Sequence, residues 1–84
     1  AYAPLGRGFL TATIKHVDAL IAKDRRREHP RFLPKNINKN NSLLKYLETI
    51  ASAHKATPSQ VALAWLLAQG TDIVPIPGTK QRKY

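Results

Sequence analysis

The sequence predicts an α/β chain built as a single β-α-β unit, in the order strand end, long loop, two helices, strand and glycine turn. Three stretches carry that expectation. "TPSQVALAWLLAQG" holds a full set of helix-boundary signals around an apolar interior. "DIVPI" is a short apolar run that closes on a Gly-Thr turn. Before both, "RRREHPRFLPKNINKNN" carries Pro30, Pro34 and four asparagines and reads as an irregular polar connection. So long a loop inside a compact domain is unusual unless it has a task.

Taken in order, "AYAPLGRGFLT" gives a strand end at residues 1–3, after which Pro4, Gly6 and Gly8 stop any regular element. Ile14, Val17, Leu20 and Ile21 recur at helical spacing and predict a short amphipathic helix near residues 16–22. In "SLLKYLETIASAHK", Leu43, Leu47, Ile50 and Ala51 share one face, with Lys45, Glu48 and Ser52 elsewhere, which predicts a surface helix with one apolar stripe. Thr57 then caps the next helix, Pro58 suits its first position, and Gln60 reaches back to complete a capping box. Gly70 is expected to end it in the left-handed conformation. Residues 61–68 between those caps leave no polar face, so this helix has to be covered on most sides, with Trp65 in the core. The chain offers little else to cover it. Ile73, Val74 and Ile76 read as a buried strand, and Pro75, which cannot donate to a ladder, fits the end of such a strand better than its centre.

Eighty-four residues allow one small domain with a marginal core. The absence of cysteine excludes disulfides, thiolate metal sites and cysteine nucleophiles, and suits a reducing compartment. His16, His29 and His54 lack ligand spacing, so no metal site is expected. No apolar run approaches the roughly 20 residues that cross a bilayer, no signal-peptide pattern opens the chain, and "AYAPLG" reads as the middle of a longer polypeptide. The net charge of +9 admits three anionic partners: nucleic acid, a membrane surface or a phosphorylated small molecule. Much of that charge lies on Arg7, Lys15, Lys23, Arg25, Arg26, Arg27, Arg31, Lys35 and Lys39, a run that by itself reads as a solvated loop.

Two short segments have the chemistry of a phosphate site. "PLGRG" offers backbone N–H groups among small residues, so a diphosphate can approach closely. "GTKQR" offers a glycine turn, a hydroxyl, an ammonium and a guanidinium, the donors a phosphate monoester takes. Each is weak alone. Lys80 and Arg82 also read as a mobile basic tail, and Tyr2 also reads as plain packing.

Together "AYAPLGRGFLT", "PRFLPKNINKN", "TPSQVALAWLLAQG" and "DIVPIPGTKQRKY" resemble the C-terminal part of an aldo-keto reductase, over essentially the whole chain. The resemblance implies part of a (β/α)8 TIM barrel and not a complete one, with residues 1–3 ending the seventh strand and residues 73–76 forming the eighth. It divides the chain into a basic loop at 4–40, a helical pair at 42–70, and a last strand with a cofactor-phosphate turn at 72–84. It implies NADP(H) as cofactor and hydride transfer to a small carbonyl substrate. Tyr2 would stack on the nicotinamide, Pro4, Leu5, Gly6 and Gly8 would line the diphosphate path, and Gly78, Thr79, Lys80 and Arg82 would hold the adenosine 2′-phosphate. Ala3 stands where the family usually has Ser, and Ala12 where Gly is more usual. No catalytic residue carries over: the family's acid is a Tyr assisted by Lys, with Asp and His nearby, and neither Tyr46 nor Tyr84 matches that context. The implied partner is the remainder of the barrel, in a cytoplasmic enzyme, with no nucleic acid and no membrane. Two other readings stand beside it: a basic module binding nucleic acid through residues 25–27, and an interaction segment docking through the helix around Trp65.

Overall fold

The structure is a computed structural model describing all of residues 1–84. It contains two α-helices, α1 (Pro34–Ala53) and α2 (Pro58–Ala68), preceded by four short 3₁₀ turns at Gly6–Thr11, Val17–Ala19, Arg25–Glu28 and Pro30–Phe32. The core lies between the N-terminal half and α1. Phe9, Ile14, Leu20, Phe32, Ile37 and Leu44 are buried together, with Leu10, Ala12 and Leu47 packed against them. Phe32 is fully buried and meets Phe9 edge to face, ring centroids 6.2 Å apart.

Helix α1 begins at Pro34, inside the span that reads as loop. Proline suits this first position, and the asparagines that argue against a helix here find other work. Asn36 and Asn40, one turn apart, donate their side-chain amides to the Pro30 and Arg31 carbonyls at 2.8 and 3.2 Å. Asn41 donates likewise to the Lys15 carbonyl. The helix therefore stitches down the loop that precedes it. The buried stripe also differs in part from the expected one. Ile37, Leu44 and Ala51 are the buried positions, Leu47 is half-buried, and Leu43 and Ile50 face outward. Moving from 43 to 44 is about 100° around the axis.

Only the single turn Val17–Ala19 forms where a helix is expected at 16–22. His16 and Leu20 are extended on either side of it. The carbonyls of Val17 and Leu20 accept from Arg27 Nη1, at 3.0 and 2.7 Å. Two carbonyls near the turn are thereby tied to a side chain.

Helix α2 carries its capping box intact: the Gln60 N–H donates to Thr57 Oγ1 at 3.2 Å, and the Thr57 N–H to Gln60 Oε1 at 2.8 Å. Its C-terminal end differs from expectation. Gln69 closes it in the right-handed region, and Gly70 has no positive φ. The left-handed helix end belongs to α1, at Lys55 with φ 51°. Of the apolar interior of α2 only Ala62 is buried, through packing on α1 and on Gly6–Thr11. Trp65, expected in the core, is 63% exposed, because the chain puts nothing over that face.

No β-strand forms. Residues 73–76 are open and non-helical, but only Ala1 pairs with them: the Ala1 nitrogen donates to the Val74 carbonyl, and the Ile76 N–H donates to the Ala1 carbonyl at 3.1 Å. One residue bonding the two neighbours of its opposite number is the parallel pattern, centred here on Pro75. Ala3, at φ 48°, turns the N-terminal segment out of the extended region before a second rung can form.

Candidate cofactor cleft

The Gly6-Arg7-Gly8 turn is built from three consecutive residues at positive φ: 58°, 59° and 93°. Glycine accepts this backbone without cost at the first and last positions. Space is tight as well: a Cβ at Gly6 would lie 3.2 Å from Arg31 Nη1, and one at Gly8 3.1 Å from Arg26 Nη1, so those arginine ends would have to give by a few tenths of an ångström. The Gly6 N–H donates to the Ala3 carbonyl at 3.0 Å and the Gly8 N–H to the Leu5 carbonyl at 3.1 Å. These two donors are used inside the turn. The glycines supply shape.

That turn forms one wall of a cleft of about 460 Å³, which Tyr2, Ala3, Pro4, Leu5, Gly8, Thr11, Ile76, Pro77 and Gly78 line with Arg7 and Arg26. Tyr2 is 80% exposed. A second cleft of about 650 Å³ is lined by Arg7, Ile21, Lys23, Asp24, Arg25, Arg26 and Lys80. Its lining is strongly cationic, with Asp24 as the one acid. Arg7 and Arg26 belong to both clefts.

The structure therefore brings Tyr2, Pro4, Leu5, Gly8 and Gly78 into one cleft and Lys80 into the next. Gly6 shapes the turn from behind. Thr79 and Arg82 line neither cleft: Thr79 Oγ1 accepts from the Gln81 N–H at 3.1 Å within the exposed tail.

Arg7, Thr11 and Arg26 are cleft residues that sequence reasoning misses. Within residues 25–27 only Arg25 is a solvated side chain. Arg26 holds the Asp24 carboxylate, with Nη2 2.6 Å from Oδ2 and Nε 3.0 Å from Oδ1, and its Nη1 donates to the Arg7 carbonyl at 3.0 Å. The Arg26 N–H adds a bond to Asp24 Oδ1 at 2.9 Å. These side-chain bonds first, and the N–H second, hold the Asp24 carboxyl down at about 2, and Asp24 in turn raises the Arg26 pKa. The sequence signal for this pair is the lone Asp that opens the arginine run.

No group of three His, Cys, Asp or Glu side chains is placed to hold a metal ion, and no helix is long and apolar enough to cross a membrane.

A family model described as the Aldo/keto reductase family matches residues 1–84. Among curated proteins, the chain is 55% identical over 83 residues to the aldo-keto reductase yakc of Schizosaccharomyces pombe, whose name specifies NADP(+). That match covers 99% of this chain and 24% of the relative. It is 48% identical over 84 residues to the aldo-keto reductase str7 of Strobilurus tenacellus, covering 100% of this chain and 25% of that protein. Against the probable aldo-keto reductase 1 of Glycine max it is 45% identical over 82 residues, 98% of this chain and 23% of the other. No solved structure matches. The chain thus spans about a quarter of the length of these curated relatives. With a family match running from its first residue to its last, the chain belongs to the aldo/keto reductase family.

Proposed function

We propose that this chain supplies the cofactor-holding part of an NADP(H)-dependent aldo/keto reductase, which passes a hydride between the nicotinamide and an aldehyde or ketone. The observation that carries the reading is the adjacency of the two clefts: a turn with glycine on either side of Arg7 beside an exposed Tyr2 ring, opening next to a cationic pocket that holds Lys80. The name of the fission-yeast relative, which includes NADP(+), supports the choice of cofactor.

In this reading Tyr2 offers its ring face to the nicotinamide, which supplies the hydride when bound. Pro4, Leu5, Gly6 and Gly8 form the diphosphate wall, where Arg7 contributes the charge that the occupied N–H groups do not. Gly78, Thr79, Lys80 and Arg82 meet the adenosine 2′-phosphate. The proton for the carbonyl oxygen comes from the longer polypeptide, since Tyr46 is exposed on α1 and Tyr84 lies in the tail with the Lys83 ammonium 5.0 Å from its ring centroid. Residues 1–3 end the seventh strand and residues 73–76 form the eighth strand of a (β/α)8 barrel, a role supported by the parallel bonding of Ala1 to Val74 and Ile76. The outward faces of Trp65, Leu67 and Val74 are then covered by the rest of that barrel.

The test is cofactor preference. A charge-assisted bond to phosphate is worth roughly 1.5–3 kcal/mol, and each 1.4 kcal/mol is about tenfold in affinity. In the polypeptide that contains this chain, Lys80→Ala or Arg82→Ala is expected to weaken NADPH about tenfold or more and leave NADH unchanged. Added salt should erode the parent's preference as well. Equal weakening of both cofactors would remove these residues from the 2′-phosphate.

A further inference from the structure

Arg26 is the side chain common to the strained turn, the lone acid and both clefts. Its guanidinium is fixed on one side by Asp24, through Nη2–Oδ2 at 2.6 Å and Nε–Oδ1 at 3.0 Å, and on the other by the Arg7 carbonyl at 3.0 Å from Nη1. Arg7 is a non-glycine residue at φ 59°, a conformation that drifts back to the right-handed region unless its surroundings hold it. The same Nη1 stands where a side chain on Gly8 would go. A planar fork with fixed donors is what such a double grip requires, and a lysine ammonium has no such fork.

We infer that Arg26 is a positioning residue for the cofactor: anchored by Asp24, it holds the Arg7 carbonyl and so keeps the Gly6–Gly8 turn open as the diphosphate wall. The inference rests on the cofactor reading above, but it reaches a residue of the basic segment and a different part of the ligand. The diphosphate is common to NADPH and NADH, so Arg26 acts on both alike, whereas Lys80 separates them.

The experiment compares Arg26→Ala, Arg26→Lys and Lys39→Ala in the polypeptide that contains this chain. It follows amide hydrogen exchange without cofactor and dissociation constants for both cofactors. Lys39 is exposed on α1, away from either cleft, and controls for lost charge. The Gly8 and Leu10 N–H groups both donate to the Leu5 carbonyl, so they report on the turn directly. Arg26→Ala is expected to speed exchange at those two amides and weaken NADPH and NADH by the same factor, about tenfold. Arg26→Lys should not restore either readout. Unchanged exchange at Gly8 and Leu10 overturns the inference, and so does full rescue by lysine, which would mean that charge alone matters. Faster exchange with unaltered affinities confirms the grip on the turn and instead overturns the cofactor reading of that wall.

Discussion

The Ala56 N–H reaches back over the end of α1 to the Ala51 carbonyl at 2.9 Å, while the Lys55 N–H bonds Ser52 at 3.2 Å. This pair of bonds is the Schellman closure, which places Lys55 at φ 51° where a helix end favours glycine. Lys55→Gly is therefore expected to stabilise the folded protein by about 0.5–1 kcal/mol, the left-handed strain less the entropy that glycine costs. Chemical denaturation of the two variants checks it, and a loss of stability would count against the left-handed assignment.

At the next helix the reciprocal bonds of Thr57 and Gln60 satisfy two backbone donors. Thr57→Ala should cost about 1 kcal/mol, and Thr57→Ser should recover most of it. A difference below about 0.3 kcal/mol in the same measurement would show that the cap is idle.

Asp24 gives a pH signature. Its folded value, about 2, lies below the ordinary 3.8 because Arg26 bonds the charged form, first through its side chain and then through its N–H. A depressed carboxylate stabilises the fold fully above its ordinary value, and the contribution is lost as pH falls through the folded one. Nuclear magnetic resonance titration of the Asp24 carboxyl should give a midpoint well under 3.8 in the parent and a return towards it in Arg26→Ala.

Phe32 has no exposed surface and anchors the cluster between the 3₁₀ turns and α1. Phe32→Ala should cost about 3–5 kcal/mol, enough to unfold a domain of marginal stability. Far-ultraviolet circular dichroism at 25 °C reads the outcome, and retention of a cooperative parent-like melt would displace Phe32 from the centre of the core.

The 84-residue chain by itself exposes Trp65, Leu67, Ile50, Val74 and Ile76 together with Leu43. Each such side chain left wet forgoes about 1.5–3 kcal/mol. The purified chain should self-associate, visible as a sedimentation coefficient that rises with concentration. A monodisperse species at high concentration would show that these faces need no cover.

Helix α2 was legible because its boundary signals are local: Thr57, Pro58 and Gln60 act on neighbours within one turn. The start of α1 was not, since Asn36, Asn40 and Asn41 look like loop residues until the carbonyls of Pro30, Arg31 and Lys15 are beside them. The two strands failed to form for a related reason, as a strand exists only against a partner and residues 73–76 have Ala1 alone. Around the clefts, glycine spacing marks the turn, and Lys80 of "GTK" lines the cleft that Arg7 also lines. Arg26 escaped because a run of like charges says nothing about which member is gripped. Only the fold separates it from Arg25.

The proline at the centre of the Val74–Ile76 bonding has an effect on the opposite flank of that segment. Side by side along an extended chain, backbone donors alternate in direction, so the nitrogen at 75 faces away from Ala1. It carries no hydrogen. A second copy laid along that flank would meet a gap in the donor row at its middle, flanked by the bulky side chains of Val74 and Ile76. In such a pairing Pro75 would act as a gatekeeper, opposing the ordered ribbon stacking from which amyloid-like fibres grow while leaving association through the greasy faces open.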